Sequence, residues 1–408
     1  MNPALPEGAM TDSAPGTDSP TGRARVAVVF GGSSSEHAIS CLTAGSVLAA
    51  LDAERYDVVA IGITRSGRWV VVPEELHDRL RVVDGILPEI SEDLLDAIWL
   101  RTTTGTDLAV RTESASAAEP ADSTDLVPMP QSSALARLGS LDVAFALLHG
   151  PFGEDGTIQG MFEMMGTRYV GAGVLASAVG MDKIFMKLVL AASGLPIGPF
   201  VSILPRDWEH DRATCLETVA ALHYPLYVKP ARGGSSLGIT RVSEAGELVA
   251  AIEHAHEFDP KVIVEEGFVD ARELECGVLG SLGGELPEAS QVAEIRVHTE
   301  SGFYDFDAKY LPEEQVDLDV PADVDDEIAE EVRRLAVRTF DAVGCEGLAR
   351  VDVFVTRDRR VYVNEINTMP GFTAHSMFPR MWAAGGMDYP ELVDRLLQLA
   401  LERPVGLR

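Results

Sequence analysis

Apolar and polar positions fall along the chain in blocks that predict strands separated by helices. The run Arg25-Val26-Ala27-Val28-Val29-Phe30 stops at Gly31-Gly32, and a helical pattern follows it to about Leu51. Further apolar runs span Val58 to Ile63 and Leu141 to Leu148, the second ending at His149-Gly150. Short apolar runs alternating with helices predict an open parallel α/β sheet. Ligands on such sheets sit beyond the carboxyl ends of the strands, where Gly31-Gly32 and His149-Gly150 both fall. Residues 111–133 break the pattern. Their sequence, RTESASAAEPADSTDLVPMPQSS, has no apolar period and is expected to form an inserted, mobile surface loop.

After Met181 the pattern changes. A helix from about Lys183 to Ser193 precedes Gly194-Leu195-Pro196, and the strands Leu226 to Lys229 and Val262 to Glu265 flank another helix. This reads as a compact α+β unit. From Glu273 onward come further strands, an acidic loop over about 311–326, and an amphipathic helix in which Ile328, Val332, Leu335, Phe340 and Val343 share a face.

The most informative stretch is a pair of strands, Ala349 to Val355 and Val361 to Asn367. Period-2 alternation puts Arg350 and Asp352 on one face of the first, and Glu365 and Asn367 on one face of the second. With a turn at Asp358-Arg359, Asp352 faces Glu365 and Arg350 faces Asn367. Facing carboxylates repel unless something positive lies between them. Two carboxylates and an amide oxygen are hard donors that suit Mg²⁺. The same residues also read as a solvated salt-bridge face neutralised by Arg350, and spacing leaves both readings open.

Composition narrows the partners. The 408 residues carry 64 acidic and 33 basic side chains, a net charge of −31, with 46% hydrophobic residues. Wholesale disorder is excluded. So is a protein that holds nucleic acid or an anionic membrane through surplus Lys and Arg. A small anionic ligand needs only a local cluster of cations. Cys41, Cys215, Cys276 and Cys345 form no C-x-x-C pair, so neither a disulfide framework nor a zinc site is expected, and a reducing cytoplasm is the simplest home. No apolar stretch approaches membrane-spanning length. Residues 1–24 read as a flexible tail and not as a secretory signal.

Gly233-Gly234-Ser235-Ser236-Leu237-Gly238 follows the strand that carries Lys229. Glycines let backbone N–H groups wrap phosphate oxygens, and the hydroxyls of Ser235 and Ser236 add donors. Neither G-x-x-x-x-G-K-[ST] nor G-x-G-x-x-G is met, and a plain hairpin is the alternative. Lys229, at the strand end, favours an anion.

These segments belong to a series: GGSSSEHAIS at 31–40, HGPFGEDGTIQG at 149–160, MDK at 181–183, VKPARGGSSLG at 228–238, AKY at 308–310, GLARVDVF at 347–354 and NEINTMPGFTAHSMFP at 364–379. In number and order they resemble the D-alanine–D-alanine ligases of the ATP-grasp superfamily, from about Arg25 to the C-terminus apart from the insert. The resemblance implies an N-terminal open parallel α/β domain (25–178), then central (179–264) and C-terminal (265–408) α+β domains that clamp ATP. It places Lys183, Lys229, Ser235 and Ser236 at the nucleotide phosphates and Lys309 at the γ-phosphate. Glu265 would accept from the adenine amino group, and Glu273, with Glu275 as the alternative, would bind the ribose. Asp352, Glu365 and Asn367 would hold two Mg²⁺ ions, with Mn²⁺ able to substitute and K⁺ a further candidate.

The resemblance also places Glu36 at the α-ammonium of the first D-alanine, although Ser33-x-x-Glu36 is equally a helix capping box. His149 would lie near the same amino acid, or serve as a structural hydrogen bonder. Ser235 and Tyr310 would join Glu36 to latch a mobile loop. Ser376 and the backbone beside Met377 would take the carboxylate of the second D-alanine, with Arg350 and a backbone N–H near Gly371 at the oxyanion. The implied activity joins two D-alanines through an acyl phosphate, releasing ADP and phosphate, for peptidoglycan and cell shape in a bacterial cytoplasm, with a homodimer as the family expectation. Two rivals stand beside it. A D-alanine–D-lactate ligase shares the fold, but Tyr310 points to D-alanine. A silent nucleotide-binding sensor would be expected to lack Arg350 or the metal set, and all four residues are present.

Overall fold

The computed structural model describes residues 22–103, 105–113, 133–234, 237–297 and 316–405. The chain opens with β1 (Ala24–Gly31), α1 (His37–Ala50), β2 (Tyr56–Ile63) and β3 (Trp69–Val71). Next come β4 (Ala97–Arg101), β5 (Thr106–Glu113), β6 (Ser133–Leu141) and β7 (Val143–Ala146), then α2 (Thr157–Met165), β8 (Arg168–Tyr169) and α3 (Val174–Met181). The expected open sheet forms in the order β3-β2-β1-β7-β8 and is parallel except at β3. Val26 to Phe30 are wholly buried, as a strand covered on both faces requires. One face of the sheet packs against α1, the other against Leu108 and Phe162.

Two sequence expectations need correction here. The strands β4, β5 and β6 form a separate antiparallel sheet, and its outer ladder pairs Arg111 with Leu135 and Glu113 with Ser133. Both ends of the supposed 111–133 loop are therefore strand, because backbone pairing needs no apolar period; 114–132 lie outside the described residues. Nor is Leu141 to Leu148 one strand. Asp142 interrupts it, its carboxylate accepting from the Arg25 backbone N–H at 2.7 Å.

The next unit comprises α4 (Lys183–Ala192), β9 (Phe200–Ile203), α5 (Pro205–His210), α6 (Arg212–Val219), β10 (Leu226–Pro230), β11 (Thr240–Val242), α7 (Leu248–His256) and β12 (Val262–Glu266). Its antiparallel sheet has the order β11-β10-β12-β9 and buries Val228, Val242 and Val264 against Ile252 of α7. The last unit has β13 (Arg272–Leu279), β14 (Glu288–Val297), β15 (Val316–Asp319), α8 (Asp326–Ala342), β16 (Leu348–Val355), β17 (Val361–Asn367), α9 (Met377–Ala384) and α10 (Tyr389–Glu402). Its antiparallel order is β15-β14-β13-β16-β17. The acidic stretch expected as a loop over 311–326 thus contains a strand, β15, whose Leu318 pairs with Ile295. The predicted face of α8 is buried as expected, with Val343 just past the helix end.

Packing ties the units together. Met186 and Leu190 of α4 enter the core under α8, although β10 and β12 follow α4 in sequence. Leu392 and Leu396 of α10 join the core of the first sheet. Among the described residues no helix is long and apolar enough to cross a membrane.

Candidate active site

The β16–β17 ladder has the register expected at its chemical end. Asp352 pairs with Glu365 and Arg350 with Asn367, then a bulge after Asp352 shifts the remaining pairs by one. The bulge admits the longer turn, where Arg359 takes a positive φ of 66°. Arg350 grips Asp352 with two hydrogen bonds of 2.7 Å, and its Nε lies 3.2 Å from Glu275 Oε1 on β13. Asn367 Nδ2 donates to Asp352 Oδ2 at 3.0 Å. Burial pulls the Arg350 pKa down, but the Asp352 and Glu275 carboxylates more than offset it and hold the guanidinium charged. Glu273 lines the cleft two residues before Glu275. Partial burial, then repulsion from Asp352 and Glu365, raises its carboxyl above the usual range, Lys229 opposing.

Acid is therefore in surplus here. Asp352, Glu365 and Asn367 supply hard oxygen donors in one cross-strand patch, and both carboxylates act, after burial, against the ionisation of Glu273. This donor set fits Mg²⁺ or Mn²⁺. It contains two carboxylates and an amide; among the described residues, no group of three or more His, Cys, Asp or Glu side chains is placed to hold a metal.

Cations gather on the facing elements. Asp182 caps α4, accepting from the N–H groups of Ile184 (3.2 Å) and Phe185 (3.3 Å), and pairs with Lys261. Lys183 is thereby set at the first position of the helix, where a cation opposes the macrodipole and gains nothing by being there. Its Nζ donates to the Gly233 carbonyl at 2.9 Å and lies 3.5 Å from Glu365 Oε2, joining the glycine loop to the acid patch. Lys229 reaches Glu265 Oε2 at 2.5 Å. Burial works against both charges, yet the Lys229 pKa is raised by Glu265, and Glu265 is pulled down to about 2 by Lys187 and Lys229. The start of the glycine loop is fixed by Asp259, which accepts from the backbone N–H, Nε and Nη2 of Arg232 at 2.8–3.0 Å.

The third side comes from the parallel sheet. Helix α1 begins at His37 with Glu36 itself at the N-cap and no side chain capping it, so the capping-box alternative is not realised. The Glu36 carboxylate instead lies against Gly150: a Cβ there would sit 2.5 Å from Oε2, and one at Gly234 would sit 3.8 Å from it. Gly150 has φ of 73°, so both conformation and space demand glycine. His149 is 6% exposed; its Nε2 lies 3.4 Å from Thr43 Oγ1, and its ring also hydrogen-bonds the Met369 backbone. Burial holds its pKa below the ordinary value against the pull of Glu36. Ser376 precedes α9, but its hydroxyl turns back to accept from Thr373 N–H at 3.1 Å. The Ser376 side chain does not cap α9, and the first N–H group of that helix, at the buried Met377, is of the kind that suits an anion. Gly371 lies beside the same hydroxyl, 3.3 Å from the place its Cβ would occupy.

Glu36, Gly234, Gly233, Lys183, Glu365, Asp352 and Arg350 thus form a chain of neighbours across all three units. Ser235, Ser236, Lys309 and Tyr310 lie outside the described residues. The sequence reading missed Lys187, which is 3% exposed with Nζ 2.7 Å from Glu265 Oε1. The available signal was a lysine four residues after Lys183, inside the apolar stripe formed by Met186 and Leu190. It also missed Asp182 and Asp259 as supports and the pairing of Glu275 with Arg350.

Comparison with known proteins gives a consistent result. Residues 25–172 match a family model described as D-ala D-ala ligase N-terminus, and residues 189–398 match D-ala D-ala ligase C-terminus. A D-alanine--D-alanine ligase of Kineococcus radiotolerans is 55% identical over 387 residues, covering 94% of this chain and 98% of that one. A counterpart in Mycobacterium sp. (strain KMS) is 52% identical over 391 residues, covering 95% and 98%. Among solved structures, the VanG D-Ala:D-Ser ligase of Enterococcus faecalis aligns with a TM-score of 0.74 at 32% identity, covering 93% of this chain and 99% of that one. The D-alanine-D-alanine ligase of Coxiella burnetii aligns with a TM-score of 0.72 at 29% identity, covering 93% and 94%.

Proposed function

The chain belongs to the D-alanine–D-alanine ligase family, and from that premise we propose that it joins two D-alanines at the expense of ATP, giving D-alanyl-D-alanine, ADP and phosphate for peptidoglycan precursors. The observation that carries the reading is the contact chain from Glu36 through Lys183 to Asp352 and Arg350, with acid surplus on one side of the cleft and cations on the other.

A carboxylate does not acylate an amine directly, because oxide would have to leave. The carboxylate of the first D-alanine, held by its ammonium at Glu36 with His149 close by, attacks the γ-phosphoryl group of ATP. ADP departs and an acyl phosphate forms. Lys183, Lys229, Lys309 and the glycine loop with Ser235 and Ser236 hold the phosphates and balance the charge spread over the transferred group. Asp352, Glu365 and Asn367 would hold Mg²⁺ or Mn²⁺, which neutralises phosphate charge when bound. Glu265 accepts from the adenine amino group. Glu273 is the better ribose partner, because Glu275 is buried on Arg350 while Glu273 reaches the open cleft.

The second D-alanine is held by its carboxylate at Ser376 and the Met377 backbone. Its deprotonated amine attacks the acyl carbon, and Arg350 with the backbone near Gly371 stabilises the tetrahedral oxyanion. Collapse breaks the acyl C–O bond to the phosphate, which leaves as hydrogen phosphate with the proton lost by the amine, and the amide remains. Tyr310 and Ser235, latched with Glu36, keep water from the acyl phosphate. We read residues 25–178 as the N-terminal α/β domain and 179–264 and 265–408 as the two domains that clamp ATP, in a cytoplasmic homodimer with K⁺ as an optional activator. Purified protein with Mg²⁺ and ATP should release phosphate only when D-alanine is added, with one dipeptide per phosphate. Phosphate release independent of D-alanine, or none, contradicts the proposal; preference for D-lactate at neutral pH would move the chain to the ester-forming class.

A further inference from the structure

No step of the ligation needs a cation at Lys187, yet this lysine is among the most buried charged groups of the molecule. Its side chain is 4% exposed, and Nζ makes two contacts: Glu265 Oε1 at 2.7 Å and the Asn364 carbonyl at 3.3 Å. Lys183 and Lys187 lie one turn apart on the same face of α4. Lys183 meets the glycine loop and the Glu365 side chain, while Lys187 meets the adenine-side carboxylate and the backbone one residue before Glu365. At successive turns of α4, Lys183 therefore joins the glycine loop to β17, and Lys187 joins β12 to β17.

Glu265 is shared. Lys229 holds its other oxygen at 2.5 Å, so two ammonium groups flank one carboxylate. They are not equivalent. Lys229 stands at the end of β10 next to the loop that would cradle phosphate, and an arriving polyphosphate competes for it. Lys187 is the more enclosed of the two, its side chain 4% exposed against 13% for Lys229. A buried carboxylate that loses a partner is costly and shifts or reorients to recover one.

We propose that Lys187 is a positioning residue for nucleotide-base recognition: it keeps Glu265 pinned as an acceptor facing the 6-amino group of adenine while Lys229 is drawn to the phosphates. The proposal rests on the assignment of Glu265 to adenine. A 6-oxo purine offers an acceptor at the same place, and a fixed carboxylate rejects it because neither group can donate. The class of nucleotide selected is therefore 6-aminopurine over 6-oxopurine triphosphate, and Lys187 sets how strictly.

The test compares ATP with ITP as phosphoryl donors for D-alanine-dependent phosphate release, in full-length wild type, Lys187→Met, Lys187→Arg and Glu265→Gln. The readout is the ratio of kcat/KM for ATP to that for ITP, which is independent of the folded fraction of each preparation. Lys187→Met should lower this ratio by about tenfold, the scale at which a misplaced polar contact erodes discrimination. Lys187→Arg should restore most of it, and the KM for D-alanine should stay unchanged. If Lys187→Met lowers activity with ATP and ITP by the same factor, or leaves both unaltered, while Glu265→Gln lowers the ratio, Lys187 is only a structural buttress and the proposal is overturned. If Glu265→Gln also leaves the ratio unchanged, the adenine assignment of Glu265 is what fails.

Discussion

Two buried charge clusters face each other across the cleft, and they are built with opposite imbalances. On β13, β16 and β17, the carboxylates of Glu275, Asp352 and Glu365 surround Arg350, with Glu273 beside Asp352 and Glu365 toward the open cleft. Between α4, β10 and β12, Lys187 and Lys229 surround Glu265. Isolated buried charges are expensive, so a cluster kept off neutrality marks what it is meant to receive. Under the proposed function the acid-rich side would receive a cation and the base-rich side an anion. A metal–polyphosphate complex supplies both together, and Lys183, touching Glu365 on one side and Gly233 on the other, spans the gap.

The largest way to break this contrast is Arg350→Ala. It leaves Asp352 and Glu275 without their guanidinium, and a stability loss of about 3–5 kcal/mol is expected in EDTA, read from denaturant titration. The turnover number should fall about a hundredfold to a thousandfold, as when an oxyanion donor is removed. Lys229→Met attacks the other side. It should raise the KM for ATP by about tenfold to a hundredfold, the scale of a charge-assisted hydrogen bond, with the KM for D-alanine little changed.

Gly150→Ala lies outside both clusters and serves as a control on the third side. A Cβ would meet Glu36 at 2.5 Å with φ at 73°, so the KM of the first D-alanine should rise by about tenfold while the KM for ATP holds.

The smallest effect is the most diagnostic in sign. Glu265 titrates near 2, below its unfolded value, so it contributes stability that is present above the ordinary carboxyl range and lost as pH falls toward 2. Glu273 is raised, so its ionisation costs stability above its folded pKa, and acid removes that cost. Thermal melts in EDTA should show Glu265→Gln less stable than wild type at pH 7, with the gap closing as pH falls through the range from the ordinary carboxyl value to about 2. Glu273→Gln should be slightly more stable at pH 7, the gain vanishing in acid. Shifts of the same sign for both variants would erase the proposed contrast.

The two clusters were unequally legible in the sequence. The acid-rich one lies on a hairpin, where period 2 and a turn at Asp358-Arg359 suffice to set Asp352 opposite Glu365; only the bulge beyond Asp352 was hidden, because it depends on how the turn closes. The base-rich cluster joins residues 78 positions apart, Lys187 and Glu265, on a helix and a strand whose mutual packing no local pattern encodes. Lys187 falls in an apolar stripe, where a burial pattern predicts core and a lysine looks like an exception. Glu36 was ambiguous for a related reason: the Ser-x-x-Glu spacing of a capping box is local, whereas Gly150, beside the carboxylate, comes from the loop that follows β7. The β4–β6 sheet went unread because two of its strands flank a segment without apolar period, and pairing of backbone groups leaves little trace in such residues.

The most direct test of the account is a matrix of D-alanine-dependent phosphate release against ATP and free Mg²⁺ for wild type, Asp352→Asn and Lys229→Met. Asp352→Asn should raise the Mg²⁺ needed for half-activation by about tenfold or more, with the KM for ATP at saturating Mg²⁺ near wild type. Lys229→Met should do the reverse. If both variants shift the same parameter, or if Mg²⁺ dependence is indifferent to Asp352, the division into a metal-receiving side and a phosphate-receiving side is wrong.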